Sequence, residues 1–137
     1  YIAWSVTNRS PLIRIPVTRG EGTRVELRCP DSAANPYLTL AVCLQAGLDG
    51  IRNQIEPPAA VTENVFEMRL SQKNKLGIEE LPADLGEALA EFEKDEYLQN
   101  VLGRHATEKY IEAKKSEWAD YRAQVSDWEI NNYLYKI

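Results

Sequence analysis

NRSPLIRIPVTRGEGTRVELRCPDSAANP, residues 8–36, decides how the rest of the chain is read. Five arginines (Arg9, Arg14, Arg19, Arg24 and Arg28) fall within it, and only Glu21 and Glu26 stand among them. The segment 9–28 thus carries five positive and two negative charges, +3, inside a chain whose net charge is −5. Guanidinium groups this close in sequence repel one another unless solvent or a bound anion satisfies them. Arg never loses its charge, and its planar fork matches carboxylate and phosphate oxygens two at a time. The stretch therefore points to a polyanion site, phosphate first.

Spacing sharpens the reading. In TRVELRCP, residues 23–30, Arg24, Glu26 and Arg28 alternate with Val25 and Leu27. Period-two alternation predicts a half-buried strand whose i, i+2 and i+4 side chains share a face. One face then reads Arg-Glu-Arg and the other Val-Leu. An ordinary solvated strand face reads the same way. The functional alternative is a carboxylate, Glu26, that holds a hard cation while Arg24 and Arg28 hold its anionic ligands. Mg²⁺ is commonly bound by a few carboxylates together with substrate phosphates.

Outward from this stretch, residues 1–7 (YIAWSVT) are β-branched and aromatic and predict a first strand. Residues 8–11 form a turn signal, and residues 12–17 predict a second strand, confined to an edge or end by Pro16. TRGEG is a loop, and three strands this close suggest an antiparallel meander. Asn35 is placed to cap a helix over 37–48 with Pro36 at its first position. That helix is apolar nearly all round and is expected to be buried, with Gly47 and Gly50 marking its end. Its N-terminal dipole is available to an anion site.

Residues 56–61 predict an irregular loop, and 62–77 a polar connection with one apolar patch, Val65, Phe66 and Met68. From Leu81 the pattern is helical. Apolar positions recur at 85, 88, 89 and 92; Asp95 caps a second piece; Gly103 stops it. Thr107 is the expected cap of a third helix with the stripe Tyr110, Lys114, Trp118, Tyr121, Val125. Ser126 and Glu129 fit a capping box. The box launches a last stretch with Ile130, Tyr133, Leu134 and Ile137 on one stripe. The aromatics Trp118, Tyr121, Trp128, Tyr133 and Tyr135 read as packing residues, or as an intersubunit surface. The fold class is α+β: short antiparallel strands, then a largely helical C-terminal region.

With 137 residues, 44% hydrophobic and 27% charged, the chain has the size and composition of one globular domain. No apolar run reaches membrane-spanning length, and no signal-peptide pattern opens it. It opens without Met on strand-like YIAWSV, so a piece of a longer protein is expected. Cys29 and Cys43 have neither disulfide-framework nor metal-ligand spacing, which fits a reducing cytoplasm. The acidic balance argues against a nucleic-acid partner. His105, the only histidine, is assigned no chemistry, and neither cysteine has a partner for nucleophilic catalysis.

NRSPLIRIP, TRVELRCPDSAANPYL and AGLDGIRNQIEPP closely resemble the C-terminal part of the catalytic domain of bacterial type I glutamine synthetase, and the similarity runs on to Ile137. The resemblance implies a ligase that joins ammonia to glutamate using ATP and Mg²⁺ or Mn²⁺, through γ-glutamyl phosphate. It implies that Arg9 lies near the transferred phosphate and glutamate and acts in catalysis. Arg14 and Arg24, with Arg9, would contact the nucleotide. Glu26 would bind metal, and Arg28, with Arg9, would hold glutamate. The nucleotide-binding loop Lys of some relatives has no counterpart in TRGEG, where Arg19 would stand as its substitute. Where some relatives carry a Tyr that is adenylylated, this chain has Phe66, which has no hydroxyl. That implies the feedback-regulated, non-adenylylated subgroup, whose partners include transcription regulators. Residues 1–30 would be active-site strands, 35–137 mainly helical, and 126–137 an assembly tail that joins two stacked six-membered rings into a dodecamer. The remaining metal ligands would lie upstream, so the chain alone is expected to be inactive. The competing readings are a non-catalytic module for assembly or regulator binding, and a generic anion-binding α+β domain.

Overall fold

A computed structural model describes residues 1–134 and residue 136. Expectations for Tyr135 and Ile137 lie outside the described residues. Two compact units are present, Tyr1–Leu81 and Pro82–Ile137.

The first unit holds a three-stranded sheet of order β1 (Trp4–Ser5), β2 (Ile13–Arg14), β3 (Glu26–Leu27). The regular pairing is shorter than the predicted strands, although Ile2 adds an isolated antiparallel bridge to Glu79. β2 and β3 are antiparallel, Arg14 facing Glu26. β1 and β2, however, are parallel, with Trp4 opposite Ile13 and Ser5 opposite Arg14. The expected meander is therefore corrected at its first pair. The reason lies in residues 6–12, which do not make a hairpin. They loop out and return to run alongside β1, so that Ile13 N donates to Ala3 O and Ile15 N to Ser5 O. Beneath the sheet Ala3, Val61, Val65, Met68 and Ile78 form the core, with Tyr1 packed against it. The 56–61 loop is tied along β1: Trp4 Nε1 donates to Pro58 O at 2.6 Å and Val61 N to Trp4 O at 2.8 Å.

α1 (Pro36–Arg52) starts as predicted: Asn35 Oδ1 accepts from Tyr37 N and Leu38 N, and Pro36 opens the helix. Two expectations are corrected. The helix runs through Gly47 and Gly50 to a cap at Asn53, because a glycine weakens a helix without ending it. None of its residues is buried, and Tyr37 is 83% exposed. Among the described residues no other helix or strand packs on it. An apolar helix is buried only where a partner meets it. The short helix α2 (Leu70–Lys75) was not expected in the polar connection. The N–H of its N-cap residue, Arg69, is satisfied by Gln72 Oε1 at 3.0 Å.

In the second unit α3 (Leu85–Lys94), α4 (Glu96–Leu102) and α5 (Arg104–Arg122) pack together. Asp84 caps α3 through Glu87 N, and Asp95 caps α4 through Leu98 N. Gly103, at φ 79°, makes the turn between α4 and α5. α5 starts there, one turn before the expected cap. Thr107 lies inside the helix, buried, with its hydroxyl donating to Gln99 O at 2.9 Å. Leu89 is buried, Phe92 meets Tyr110 edge-on, and Trp118 crosses Gly86. The Ser126–Glu129 capping box forms, leading to one turn α6 (Asp127–Glu129). The chain then widens into a π-helical stretch, Ile130–Leu134, so the regular 3.6-residue stripe is not kept.

Candidate active site

Two clusters form in the first unit. The cross-strand pair Arg14–Glu26 builds the first. Arg14 Nη1 donates to both carboxylate oxygens of Glu26, at 3.2 and 3.1 Å. From two residues earlier Arg24 donates through Nε at 2.9 Å, and its Nη2 lies 2.7 Å from Oε1. The Arg14 bond above all, then that of Arg24, holds the Glu26 carboxyl below the usual carboxylate range. Sequence spacing brought Arg24 and Glu26 together; Arg14 needed the β2–β3 register. Arg14 Nε is buried and has no acceptor. An unmade bond of this kind is costly, and it leaves the guanidinium only partly satisfied by the protein.

The second cluster lines an open cavity of about 290 Å³. Arg9, Ser10 and Arg28 give it a polar wall; Tyr1, Phe66 and Leu81 give it an apolar one. Arg28 Nη1 donates to the backbone carbonyl of Arg9, so β3's end is tied to the loop after β1. Both guanidinium-bearing residues are exposed. The volume is at the small end of ligand pockets and suits an amino-acid-sized molecule.

Arg28 bonds to the Arg9 carbonyl, while Arg14 and Arg24 meet at Glu26. Arg19 joins neither cluster: its Nη1 donates to Pro16 O and Thr18 O, within its own loop. The N-terminal donors of α1 are taken by Asn35, so its dipole end is self-capped.

Glu26 offers a divalent ion one carboxylate, with a side chain 29% exposed. Among the described residues no group of three His, Cys, Asp or Glu side chains is arranged to hold a metal. The donor set fits a single shared ligand of a metal site, not a complete one. No helix among the described residues is long and apolar enough to cross a membrane.

Three features escaped sequence reading. The apolar cavity wall is one: the rings of Tyr1 and Phe66 meet edge-on at 5.5 Å. Behind it Lys73, buried, sits 3.7 Å from the Tyr1 ring centroid and pairs with Glu80. The third is a hydrogen-bond net around Asn8 and Ser10. Its only sequence signal is the turn-forming Asn-x-Ser.

The family model described as glutamine synthetase, catalytic domain, matches residues 1–133. The glutamine synthetase of Clostridium saccharobutylicum is 52% identical over 136 residues, 99% of this chain and 31% of that protein. That of Methanocaldococcus jannaschii is 50% identical over 133 residues, 97% of this chain and 29% of that protein. The solved structure of a GmaS/ADP complex superposes with a TM-score of 0.82 at 37% identity, over 96% of this chain and 29% of that one. A GmaS structure without ligand gives 0.80 at the same identity. The chain thus spans about 30% of the length of the glutamine synthetases it matches.

Proposed function

The chain belongs to the glutamine synthetase catalytic-domain family, and we propose that within a longer protein it supplies the arginine-rich part of a glutamate–ammonia ligase site. The observation that carries this reading is the pairing of two clusters on one small sheet. Arg14, Glu26 and Arg24 form a charge-compensated clamp, and Arg9 and Arg28 line an amino-acid-sized cavity. In the proposed reaction the glutamate γ-carboxylate oxygen attacks the γ-phosphorus of ATP and ADP leaves. Ammonia then attacks the γ-carbonyl carbon and phosphate leaves. Both steps gather negative charge on oxygen, and fixed cationic donors are the means of stabilising it.

Arg28 and Arg9 would hold the glutamate carboxylates, Arg9 also facing the transferred phosphoryl group. Arg14 and Arg24 would turn their guanidinium groups from Glu26 to the nucleotide phosphates. The ADP in the GmaS complex is consistent with a nucleotide site in this family. Glu26, released, would hold Mg²⁺ or Mn²⁺ jointly with acids elsewhere in the longer protein. The ion, when bound, adds positive charge at the phosphates.

Membership of the bacterial type I, non-adenylylated subgroup is part of the same reading. Phe66 supports it, since it offers no hydroxyl to modify. A cytoplasmic setting fits the free Cys29 and Cys43. Assembly into stacked rings is favoured by one observation: Trp128, Tyr133 and Leu134 near the C-terminus are exposed. No described surface singles out a transcription regulator.

Substrate-resolved kinetics on the full-length protein test the assignment. Arg28→Ala is expected to raise the glutamate KM by about tenfold to a hundredfold, the worth of a bond to a charged group, with the ATP KM little changed. Glu26→Ala is expected to weaken divalent-ion binding, read directly by calorimetry. Equal effects of Arg28→Ala on both substrates would remove Arg28 from the glutamate site.

A further inference from the structure

Parallel strands ordinarily need a crossover of about a dozen residues or more. β1 and β2 are joined by residues 6–12 alone, and Arg9 sits in that connection. A connection so short must be held by bonds other than those of the sheet, and the structure contains them. Asn8 N donates to Ser5 Oγ at 3.2 Å, and Ser5 is buried. Asn8 Oδ1 accepts from Ser10 N at 2.9 Å and from Ser10 Oγ at 3.0 Å. Asn8 Nδ2 donates to Glu63 O. Ser10 Oγ in turn accepts from Val65 N at 3.0 Å.

The last two bonds span 55 positions in sequence and land on the segment that carries Phe66. Val65 is 0% exposed, so its N–H has no water to turn to if the Ser10 oxygen is removed. Phe66 follows directly, its own N–H donating to Asn64 Oδ1 and its ring against Tyr1. One hydroxyl therefore sits between Arg9, on the cationic wall of the cavity, and Phe66, on its aromatic wall. We propose that Ser10, oriented by Asn8, is a positioning residue that fixes the Arg9 wall relative to the Phe66 wall. This rests on the reading of the cavity as the glutamate site. Arg14 and Arg24 lie outside the tied loop, so of the proposed nucleotide contacts only that of Arg9 to the transferred phosphoryl group is set by this bond.

The test is kinetics on the full-length enzyme with hydrogen exchange as a second readout. Ser10→Ala is expected to lower kcat/KM for glutamate by about tenfold to a hundredfold, the scale of an ångström-sized misplacement, with the ATP KM within about threefold. Exchange of the Val65 amide should accelerate. Ser10→Thr, which keeps the hydroxyl, should restore kcat/KM to within about threefold. Thr107→Ala removes a buried hydroxyl in the second unit and should leave both KM values unchanged. Should Ser10→Ala not fold, Asn8→Asp carries the test. It keeps an acceptor facing Ser10, turns the donor to Glu63 O into a repelling carboxylate oxygen beside Arg9, and should lower kcat/KM for glutamate by about threefold to tenfold. Wild-type kinetics in a folded Ser10→Ala or Asn8→Asp protein, or equal loss in Ser10→Thr and Ser10→Ala, would overturn the inference. A wild-type enzyme that forms no glutamine would instead overturn the ligase reading.

Discussion

Glu26 has two carboxylate oxygens, and Arg14 and Arg24 occupy both. Because the folded value lies below the ordinary one, the clamp's contribution is fully present above the usual Glu value. It is lost as pH falls through the depressed value. At neutral pH a cation therefore competes at Glu26 with arginines, not with protons. The side-chain carboxyl resonance of Glu26 should titrate below that of Glu in an unfolded peptide, and Arg14→Gln should move its midpoint up. A midpoint at the ordinary value in the unsubstituted protein would mean the clamp does not hold in solution. Lys73 gives a second residue-scale prediction. Its charge is buried between the Tyr1 ring and Glu80. Lys73→Ala should cost about 1–2 kcal/mol, the size of a desolvated cation–π contact. Denaturant melts of the first unit's transition would show it, and an unchanged midpoint would dismiss the contact.

Elements were legible where a local device fixes them. Asn35 with Pro36, Asp95, Gly103 and the Ser126–Glu129 box act within one turn of chain, and each lies where the pattern put it. What escaped depends on distant partners. The LSQKNK of α2 has no apolar period, and β1–β2 polarity depends on side-chain bonds to residues 63–65. The buried state of α1 needs a surface that the described residues do not contain. Within the site, alternation found Arg24 and Glu26, whereas Arg14 and the Arg9–Arg28 contact required strand register. Gly86 shows how local preference and packing compete. A Cβ there would lie 2.5 Å from Trp118 Nε1. Alanine gains about 1 kcal/mol of helix propensity, against about 1–3 kcal/mol for overpacking. Gly86→Ala should therefore be neutral to destabilising, never stabilising, in thermal unfolding of the second unit.

For the whole molecule, apolar surface is left over in both units. In the first it is α1; in the second it is the C-terminal stretch, where Trp128 and Tyr133 are each 62% exposed. Among the described residues that stretch packs on no other helix or strand. Burial is worth at most about 1.5–3 kcal/mol per large apolar side chain, enough for several to drive assembly after ordering costs. Deleting residues 126–137 from the full-length protein should split stacked rings and leave single rings. Ultracentrifugation reads the mass directly, and an unchanged particle would exclude the assembly role. The central claim is that this chain is the arginine-bearing portion of a glutamine-forming site whose other metal ligands lie elsewhere in a longer protein. It is tested most directly by measuring ATP-dependent glutamine formation from glutamate and ammonia with the full-length protein and with the purified 137-residue chain. The account predicts glutamine from the first and none from the second; a full-length protein without activity, or an isolated chain with it, would contradict the account.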